Sequence, residues 1–284
     1  MPDFAIVDSH VHLFDLRVLP YKWIEQAEGI AKTSLLPEFD AAAGAVVVDK
    51  LVFVEAYVSD GRFHEEAAFG QALADGDQRV RGLVAHAPLE AGMAVEEDIA
   101  KLLANQSLRG VRRLIEVEHD PSFCLRPKFL EGLRLLSKYD LPFDICTKHW
   151  GLSYALELAR RCPDARFVLD HIGKPDIRNG MTQPWADQIR ELAKLSNVVC
   201  KISGVITEAD PRIWTSEQVI PYIAHVIEQF GFDRIMYGSD WPVSSMTHEY
   251  QDFVAILDAI LRGSTRSELV KFYRENAVRT YRLD

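Results

Sequence analysis

The sequence of 284 residues lacks the features that mark several classes of protein. Its four cysteines, Cys124, Cys146, Cys162 and Cys200, are widely separated and form no Cys-x-x-Cys pair. Such sparse usage favours a reducing compartment over a disulfide-stapled scaffold. The N-terminal segment has neither a basic region nor a long apolar stretch, and no run approaches the roughly 20 apolar residues of a membrane helix. We therefore expect a cytoplasmic protein that does not contact a membrane.

An excess of positive charge is also missing. The chain has 32 Lys and Arg against 42 Asp and Glu, so its formal net charge is −10. This balance argues against general binding to nucleic acid or to an anionic membrane surface. Hydrophobic residues make up 48% of the chain, which suffices for a large core without disulfides. We expect a small-molecule partner, and the oligomeric state stays open between monomer and homodimer.

Short apolar runs alternate along the chain with amphipathic stretches. The starts of the runs lie roughly 25 to 45 residues apart, which is the spacing of βα units. The predicted strands are Phe4–Val7, Lys50–Val54, Val80–Ala85, Gly110–Ile115, Pro142–Cys146, Arg166–Leu169, Val198–Ile202 and Arg234–Tyr237. Eight such units predict the α/β class, as one (β/α)8 TIM barrel domain over residues 1–284. An open doubly wound sheet is the alternative, but its glycine-rich phosphate turn is missing.

The stretch Leu16–Val46 follows the first predicted strand and shows little periodicity. A long segment of this kind inside a compact domain is usually functional. We expect it to form an extended loop over the top of the barrel.

The first and last predicted strands end in residues suited to chemistry. His10 and His12 are two positions apart, so an extended strand directs both side chains the same way. They could form a metal-binding pair, an oxyanion-binding pair, or an exposed or core pair without function. Asp240 follows the last strand, which lies beside the first in a closed barrel, and could bind a metal, act as a base or cap a turn.

Other polar residues also lie at the C-terminal ends of predicted strands, where the active site of a barrel is built. They are Glu55, Arg112, Arg113, Lys148, His149, His171 and Lys201. Charged residues at the ends of otherwise apolar strands are costly to bury without a partner or a function. The strand ends therefore predict a functional site with more cations than acids, which suits a neutral substrate whose transition state is anionic.

Several motifs resemble the amidohydrolase superfamily and, within it, the amidohydrolase 2 branch. The resemblance rests on Asp-Ser-His-Val-His at 8–12, His171 in Leu-Asp-His-Ile-Gly, Asp240 in Gly-Ser-Asp-Trp-Pro, and the closing segment Glu275–Tyr281. Gly110–Arg113, Phe123–Arg126, Val168–Asp176 and Cys200–Gly204 are similar to the sugar-lactone hydrolases of this branch. The resemblance implies hydrolysis of an aldonolactone of the L-fuconolactone or L-rhamnonolactone type.

The resemblance also implies roles for individual residues. Asp240 would activate water or help to hold a metal, while His10, His12, His171 or Arg112 would stabilise the oxyanion. The residues expected to bind the substrate are Glu55, Arg113, Lys148, His149, Lys201, Tyr21 and Trp23.

The resemblance leaves open whether a metal ion is required. Superfamily members with two metals use a carbamylated lysine on strand four, where this chain has Arg112 and Arg113. The resemblance therefore implies either one divalent ion, zinc or manganese, on His10, His12 and Asp240 with His149 as a further candidate, or no metal.

Two other functions fit the same motifs. A metal-dependent decarboxylase of an aromatic or unsaturated acid would need one tightly bound divalent ion. A non-catalytic sugar-acid binding protein would need no base, and the convergence of bases and electrophiles argues against it.

Overall fold

The computed structural model of the protein describes residues 2–284 and contains eight β-strands that alternate with helices. The strands are β1 (Ile6–Val11), β2 (Val48–Val54), β3 (Val80–His86), β4 (Leu108–Arg112), β5 (Phe143–Ile145), β6 (Phe167–Leu169), β7 (Val198–Ile202) and β8 (Ile235–Tyr237). The α-helices are α1 (Lys22–Glu25), α2 (Leu36–Ala43), α3 (Phe63–Gly76), α4 (Val95–Leu102), α5 (Pro127–Lys138), α6 (Leu152–Arg161), α7 (Trp185–Ala193), α8 (Ser216–Phe230), α9 (Tyr250–Ile260), α10 (Arg266–Val270) and α11 (Asn276–Tyr281). Within this part of the chain, no helix is both long and apolar enough to cross a membrane.

The strands follow one another round a single parallel sheet in chain order, from β1 to β8. The sheet closes just beyond β8, where the Asp240 amide donates to the His10 carbonyl at 2.9 Å and the His12 amide donates to the Trp241 carbonyl at 2.8 Å. Each predicted strand overlaps an observed one. The predicted (β/α)8 barrel is therefore confirmed, and the open doubly wound sheet is wrong.

The side chains of each strand alternate between two separate cores. On β2, Leu51 and Phe53 pack outward against the helices, while Val52 and Val54 belong to a smaller cluster inside the barrel. This inner cluster is completed by the C-terminal tail, which contributes side chains that include Tyr281. The bottom of the barrel is thus filled with apolar side chains, and the polar side chains lie above them.

A break in the alternation of β1 directs its histidines into the barrel. Val7 belongs to the inner cluster, so strict alternation would also turn Val11 inward, yet Val11 packs in the outer core. The pairing with β2 shifts register between Asp8 and Val11. Because such a bulge reverses the side-chain pattern, the shift allows His10 to face the interior, which unbroken alternation would not.

The segment 16–46 is a long excursion between β1 and β2, and it contains two helices as well as loop. It forms α1 and α2, and its first half builds a small core of its own around Phe14, Tyr21 and Ile24. Short helices separated by turns give little periodicity in the sequence, which is why the pattern did not show them.

Glu66 on α3 joins this small core to the barrel. Its Oε1 accepts a hydrogen bond from the Ala56 amide at 2.9 Å. Glu66 Oε2 and the Tyr21 hydroxyl are both buried without a hydrogen-bond partner among residues 2–284. Burial, together with the nearby Glu66 carboxyl, raises the pKa of Tyr21. Burial, reinforced by the charge of Glu55, raises the pKa of Glu66 to about 8. The carboxyl is therefore protonated in the folded protein at neutral pH.

We expect the Glu66→Gln variant to lose part of the pH dependence of stability. Between pH 4.5 and about 8 the folded protein keeps a proton that the unfolded chain releases. The free energy of unfolding therefore falls as pH rises, by about 1.4 kcal/mol per pH unit for one proton. Urea denaturation of wild type, Glu66→Gln and the exposed control Glu97→Gln across this interval measures the difference. Parallel curves for wild type and Glu66→Gln would contradict the assignment.

Candidate active site at the C-terminal ends of the strands

Three buried side chains converge where β1 and β8 meet. His10 Nε2 lies 3.2 Å from His12 Nε2. Asp240 Oδ1 lies 3.4 Å from His12 Nε2 and 3.7 Å from His10 Nε2. These three residues, as the sequence predicted, form one group, which we call the His-His-Asp trio.

The spacing of the trio fits one metal ion. A tetrahedral zinc site with bonds of about 2.0–2.1 Å separates its ligand atoms by about 3.3–3.4 Å, close to the three observed distances. Two imidazole nitrogens and one carboxylate oxygen are donors that zinc accepts. The residues present therefore could hold a divalent ion.

The outer nitrogen of His12 is fixed by the backbone. His12 Nδ1 donates to the Val54 carbonyl at 2.9 Å, which leaves the Nε2 lone pair directed at the trio. Metal-bound histidines almost always donate their second ring N–H to a carbonyl or a carboxylate in this way. His12 is therefore held in the tautomer that a metal ligand or a hydrogen-bond acceptor requires.

The outer nitrogen of His10 faces two opposite charges. His10 Nδ1 lies 3.3 Å from Asp170 Oδ1, which accepts a proton, and 3.3 Å from the Lys201 ammonium, which donates one. Arg112 Nη1, which can only donate, lies 3.3 Å from His10 Nε2, so Nε2 carries the lone pair and Nδ1 carries the proton. Burial lowers the pKa of His10 well below its usual value, so the ring is neutral.

The Lys201 ammonium lies next to a second group of possible metal ligands. This group consists of His10, Asp170 and His171. The Lys201 Nζ lies 3.1 Å from Asp170 Oδ1 and 3.3 Å from His10 Nδ1, two of its members. An ammonium at that point repels a second metal ion, and Arg112 rather than lysine ends β4. Both features favour at most one ion.

Arg112 connects the trio to the carboxylates around it. Its Nε donates to Glu55 Oε1 at 2.6 Å, and its Nη1 lies 3.4 Å from Asp170 Oδ2 and 3.3 Å from His10 Nε2. Arg112 is only 4% exposed. Its charge is thus balanced by two buried carboxylates.

His171 completes the site from β6. Its Nδ1 lies 2.9 Å from Ser203 Oγ, and its ring centroid lies 4.4 Å from that of His10. Burial lowers the pKa of His171 to about 4, so it is neutral near pH 7. Burial by itself would raise the pKa of Asp240. The neighbouring histidines, of which His171 has the largest effect, lower this pKa by more, so the net shift is downward. The site thus combines an ionised carboxylate with neutral imidazoles.

The backbone around these groups is strained. His171 and Asp240 both have positive φ, of 53° and 60°, a region that non-glycine residues rarely occupy. Such residues cluster at functional sites, where the surrounding structure holds them. Gly204 lies between the two, and a Cβ there would come within 2.5 Å of Asp240 Oδ2 and 2.8 Å of His171 Nδ1. Glycine is therefore required for this approach.

A cavity of about 540 Å³ opens next to Glu55, and none of the three trio residues is among its lining residues. It is lined by Lys22, Trp23, Gln26, Glu55, Tyr57, Val58, Ser59, Asp60, Gly61, Phe63, His86, Glu90 and Arg113. Glu55, which binds Arg112, joins this cavity to the trio. Its volume lies in the range typical of sites for small molecules.

The cations around the site form ion pairs with acidic residues, contrary to the expected excess of positive charge. Arg113 donates to Glu90 at 2.9 Å and also binds Glu118. Three further lysines form ion pairs: Lys174 with Glu116 at 2.7 Å, Lys148 with Glu208 at 3.7 Å, and Lys22 with Asp60 at 2.5 Å. Sequence positions could not show that acids from neighbouring loops would neutralise the strand-end cations.

Four of the predicted substrate contacts, Tyr21, Lys148, His149 and Lys201, do not line the cavity. Lys201 is fully buried beneath the trio, and Tyr21 is fully buried in the small core next to Glu66. Lys148 is exposed and pairs with Glu208. His149 belongs to neither group of possible metal ligands within residues 2–284, and its placement does not support it as a further ligand. Trp23, Glu55 and Arg113 do line the cavity.

Sequence reasoning missed the charges beneath the site. Asp144 and Asp170 are fully buried, and Lys201 Nζ donates to Asp144 Oδ2 at 2.6 Å. The signal was present, because Asp144 stands between the apolar Phe143 and Ile145 in the middle of a buried strand. A charged residue in such a place needs a partner.

Comparison with known proteins places the chain among relatives of the same length. It is 30% identical over 263 residues to an L-fucono-1,5-lactonase from Burkholderia multivorans, covering 89% of this chain and 87% of the relative. It is 34% identical over 194 residues to an L-fucono-1,5-lactonase from Burkholderia ambifaria, covering 66% of each.

A solved structure has the same architecture. The crystal structure of an amidohydrolase from Burkholderia multivorans with bound zinc superposes with a TM-score of 0.89 at 27% identity, covering 99% of this chain and all of the other. The model of the amidohydrolase family matches residues 7–283. The chain therefore belongs to the amidohydrolase family.

Proposed function

We propose that this protein hydrolyses a sugar lactone, an aldonolactone of the L-fuconolactone or L-rhamnonolactone type, to the sugar acid. The observation that carries the proposal is the His-His-Asp trio, linked through Arg112 and Glu55 to a cavity of small-molecule size, in a chain similar to L-fucono-1,5-lactonases. Residues 1–284 would act as one catalytic domain.

The reaction begins with Asp240 as the base. Its ionised carboxylate accepts a proton from water while the water oxygen attacks the lactone carbonyl carbon. The C–O bond to the ring oxygen then breaks, and the proton held by Asp240 passes to that oxygen. One water is consumed, and one hydroxy acid is released.

His171 stabilises the negative charge that develops on the carbonyl oxygen. Because Ser203 faces its Nδ1, a hydroxyl that donates there leaves Nε2–H to donate to the oxyanion. The positive charge of Arg112 is held by Glu55 and Asp170, so in our proposal it orients His10 and does not contact the lactone.

One zinc ion held by His10, His12 and Asp240 would polarise the lactone carbonyl and make the attacking water more acidic. Trp23, Glu55 and Arg113 would contact the sugar hydroxyls from the cavity wall, with Lys148 and His149 as further candidates outside its lining.

The Asp240→Asn variant is expected to lose activity while keeping the fold. Asparagine tolerates the positive φ at this position but cannot accept the proton, so we expect kcat to fall by about 10²–10⁴-fold. Acid release from a panel of aldonolactones, followed with a pH indicator, measures turnover. The exposed Asp187→Asn is the control. No acid from wild type with any aldonolactone, or near-normal turnover by Asp240→Asn, would refute the proposal.

The neutralised cations predict a preference for uncharged lactones. A carboxylated lactone would bring a negative charge to a cavity whose arginine is already paired with Glu90. We expect wild type to have a higher kcat/KM for neutral aldonolactones than for carboxylated ones. In Glu90→Gln, the ratio of these two kcat/KM values should fall by about threefold, which corresponds to about 0.7 kcal/mol. The exposed Glu97→Gln should leave the ratio unchanged. A wild-type preference for the carboxylated lactone contradicts this prediction.

We expect one equivalent of zinc per chain in protein purified without chelator. Removing it should lower both the Tm and kcat, because a ligand that binds only the folded state stabilises it. Elemental analysis and thermal unfolding before and after chelation measure this. His12→Asn should lose the zinc, and His119→Asn, which alters an exposed histidine, should keep it. Full turnover by protein that holds no metal would show that Asp240 works without an ion.

A further inference from the structure

The C-terminal tail inserts a tyrosine into the barrel from the end opposite the site. Tyr281 and Leu283 are fully buried within the inner cluster. Lys50 donates to the Leu283 carbonyl at 3.0 Å, and Arg109 donates to the Arg282 carbonyl at 3.1 Å, so cations at the barrel rim bind the tail backbone. The fit is close, because a Cβ at Gly82 would lie 2.9 Å from Leu283 Cδ2. The tail is therefore part of the barrel interior.

Tyr281 contacts both Lys201 and the carboxylate that pairs with it. Its hydroxyl donates to Asp144 Oδ2 at 2.7 Å, the same oxygen that accepts from Lys201 Nζ at 2.6 Å. The Lys201 ammonium also lies 5.1 Å from the centre of the Tyr281 ring, within the range of a cation–π contact. The tail thus holds both the lysine and its counter-ion.

The hydroxyl restricts the Asp144 carboxylate to one orientation. Asp144 Oδ1 is buried without a hydrogen-bond partner among residues 2–284, while Oδ2 takes both hydrogen bonds. Without the tyrosine hydroxyl, the carboxylate would be freer to rotate about its Cβ–Cγ bond, and the oxygen that accepts from Lys201 Nζ would move. The position of Lys201 would then be less well defined.

The position of Lys201 matters because its ammonium lies 3.1 Å from Asp170 Oδ1, the oxygen that faces His10 Nδ1 at 3.3 Å. Arg112 Nη1, which can only donate, lies 3.3 Å from His10 Nε2, so Nε2 carries the lone pair and Nδ1 carries the proton that faces Asp170. A displacement of Lys201 would therefore move the Asp170 carboxylate and, with it, the His10 ring.

We propose that Tyr281 is a positioning residue, which orients Lys201 through Asp144 and so fixes the position of the His10 ring in the trio. The effect on turnover rests on the lactonase function proposed above, whereas the effect on His10 does not. None of these side chains touches the substrate, so the proposal concerns the geometry of the site and not the binding of the lactone.

The test compares Tyr281→Phe with Tyr273→Phe. Tyr273 is also buried near the C-terminus, and its hydroxyl has no hydrogen-bond partner in the described part of the chain, which makes it a matched control. Changes to groups around metal ligands typically cost about 10–100-fold, and Tyr281 acts at one remove, so we expect kcat to fall about three- to tenfold. We expect KM to stay within about twofold of the wild-type value, because Tyr281 does not contact the substrate and binding of the ground state is unchanged.

Two readouts separate positioning from general loosening. The ¹⁵N resonances of the His10 ring, identified by their loss in His10→Gln, should shift in Tyr281→Phe and stay unchanged in Tyr273→Phe. In the Asp144→Asn background, the Tyr281→Phe change should have little further effect, because the contact that transmits it is already altered.

Three results would overturn the proposal. They are unchanged His10 resonances in Tyr281→Phe, equal effects of the two tyrosine variants, and additive effects of Tyr281→Phe and Asp144→Asn. If wild type hydrolyses no lactone, the proposed function fails, and the ¹⁵N spectra still decide the role of Tyr281. Should Tyr281→Phe fail to fold, Asp144→Asn tests the same link from β5 through the His10 resonances.

Discussion

The ammonium of Lys201 is buried at the centre of the barrel, and the arrangement of the site depends on how that charge is neutralised. An isolated charge in a protein interior is strongly unfavourable unless it is paired and hydrogen-bonded. Asp144 and Asp170 supply the pairing, at 2.6 Å and 3.1 Å from Lys201 Nζ. The carboxylate of Asp170 in turn reaches both His10 and Arg112. The histidine that faces the reacting groups is therefore held by a chain of charges that begins beneath it.

These buried charges also determine one another's protonation. Burial raises the pKa of Asp144 to about 6, although the nearby Lys201 opposes the rise. Burial also disfavours ionised Asp170, but Lys201 and His10 outweigh it and lower its pKa well below the usual value. Asp170 is thus the ionised partner of the lysine, and Asp144 is the group through which the tail makes contact. Removing the lysine would leave two fully buried carboxylates without their shared counter-ion.

Much of the fold and part of the site could be predicted from the sequence. The spacing of apolar runs identified the barrel, because strands buried on both faces are almost continuously apolar. The rule that barrel sites lie at the C-terminal ends of strands then selected His10, His12 and Asp240, and the structure brings these together. The rule failed for Lys201, because a residue near a strand end can point into the packed interior as easily as into a pocket. It also could not show that Glu90 and Glu116, from segments outside the strands, neutralise the strand-end cations.

The sequence by itself determined the class of fold, the family and the identity of the trio. These follow from local pattern and from residue types, such as two histidines two positions apart on an extended strand. Only the tertiary structure decided which way those side chains point and what holds them. The register shift between Asp8 and Val11 alters the facing of β1, and Gly204 permits Asp240 and His171 to approach. The link from Tyr281 to Lys201 joins residues 80 positions apart in sequence, and it exists because closing the barrel brings both into one interior.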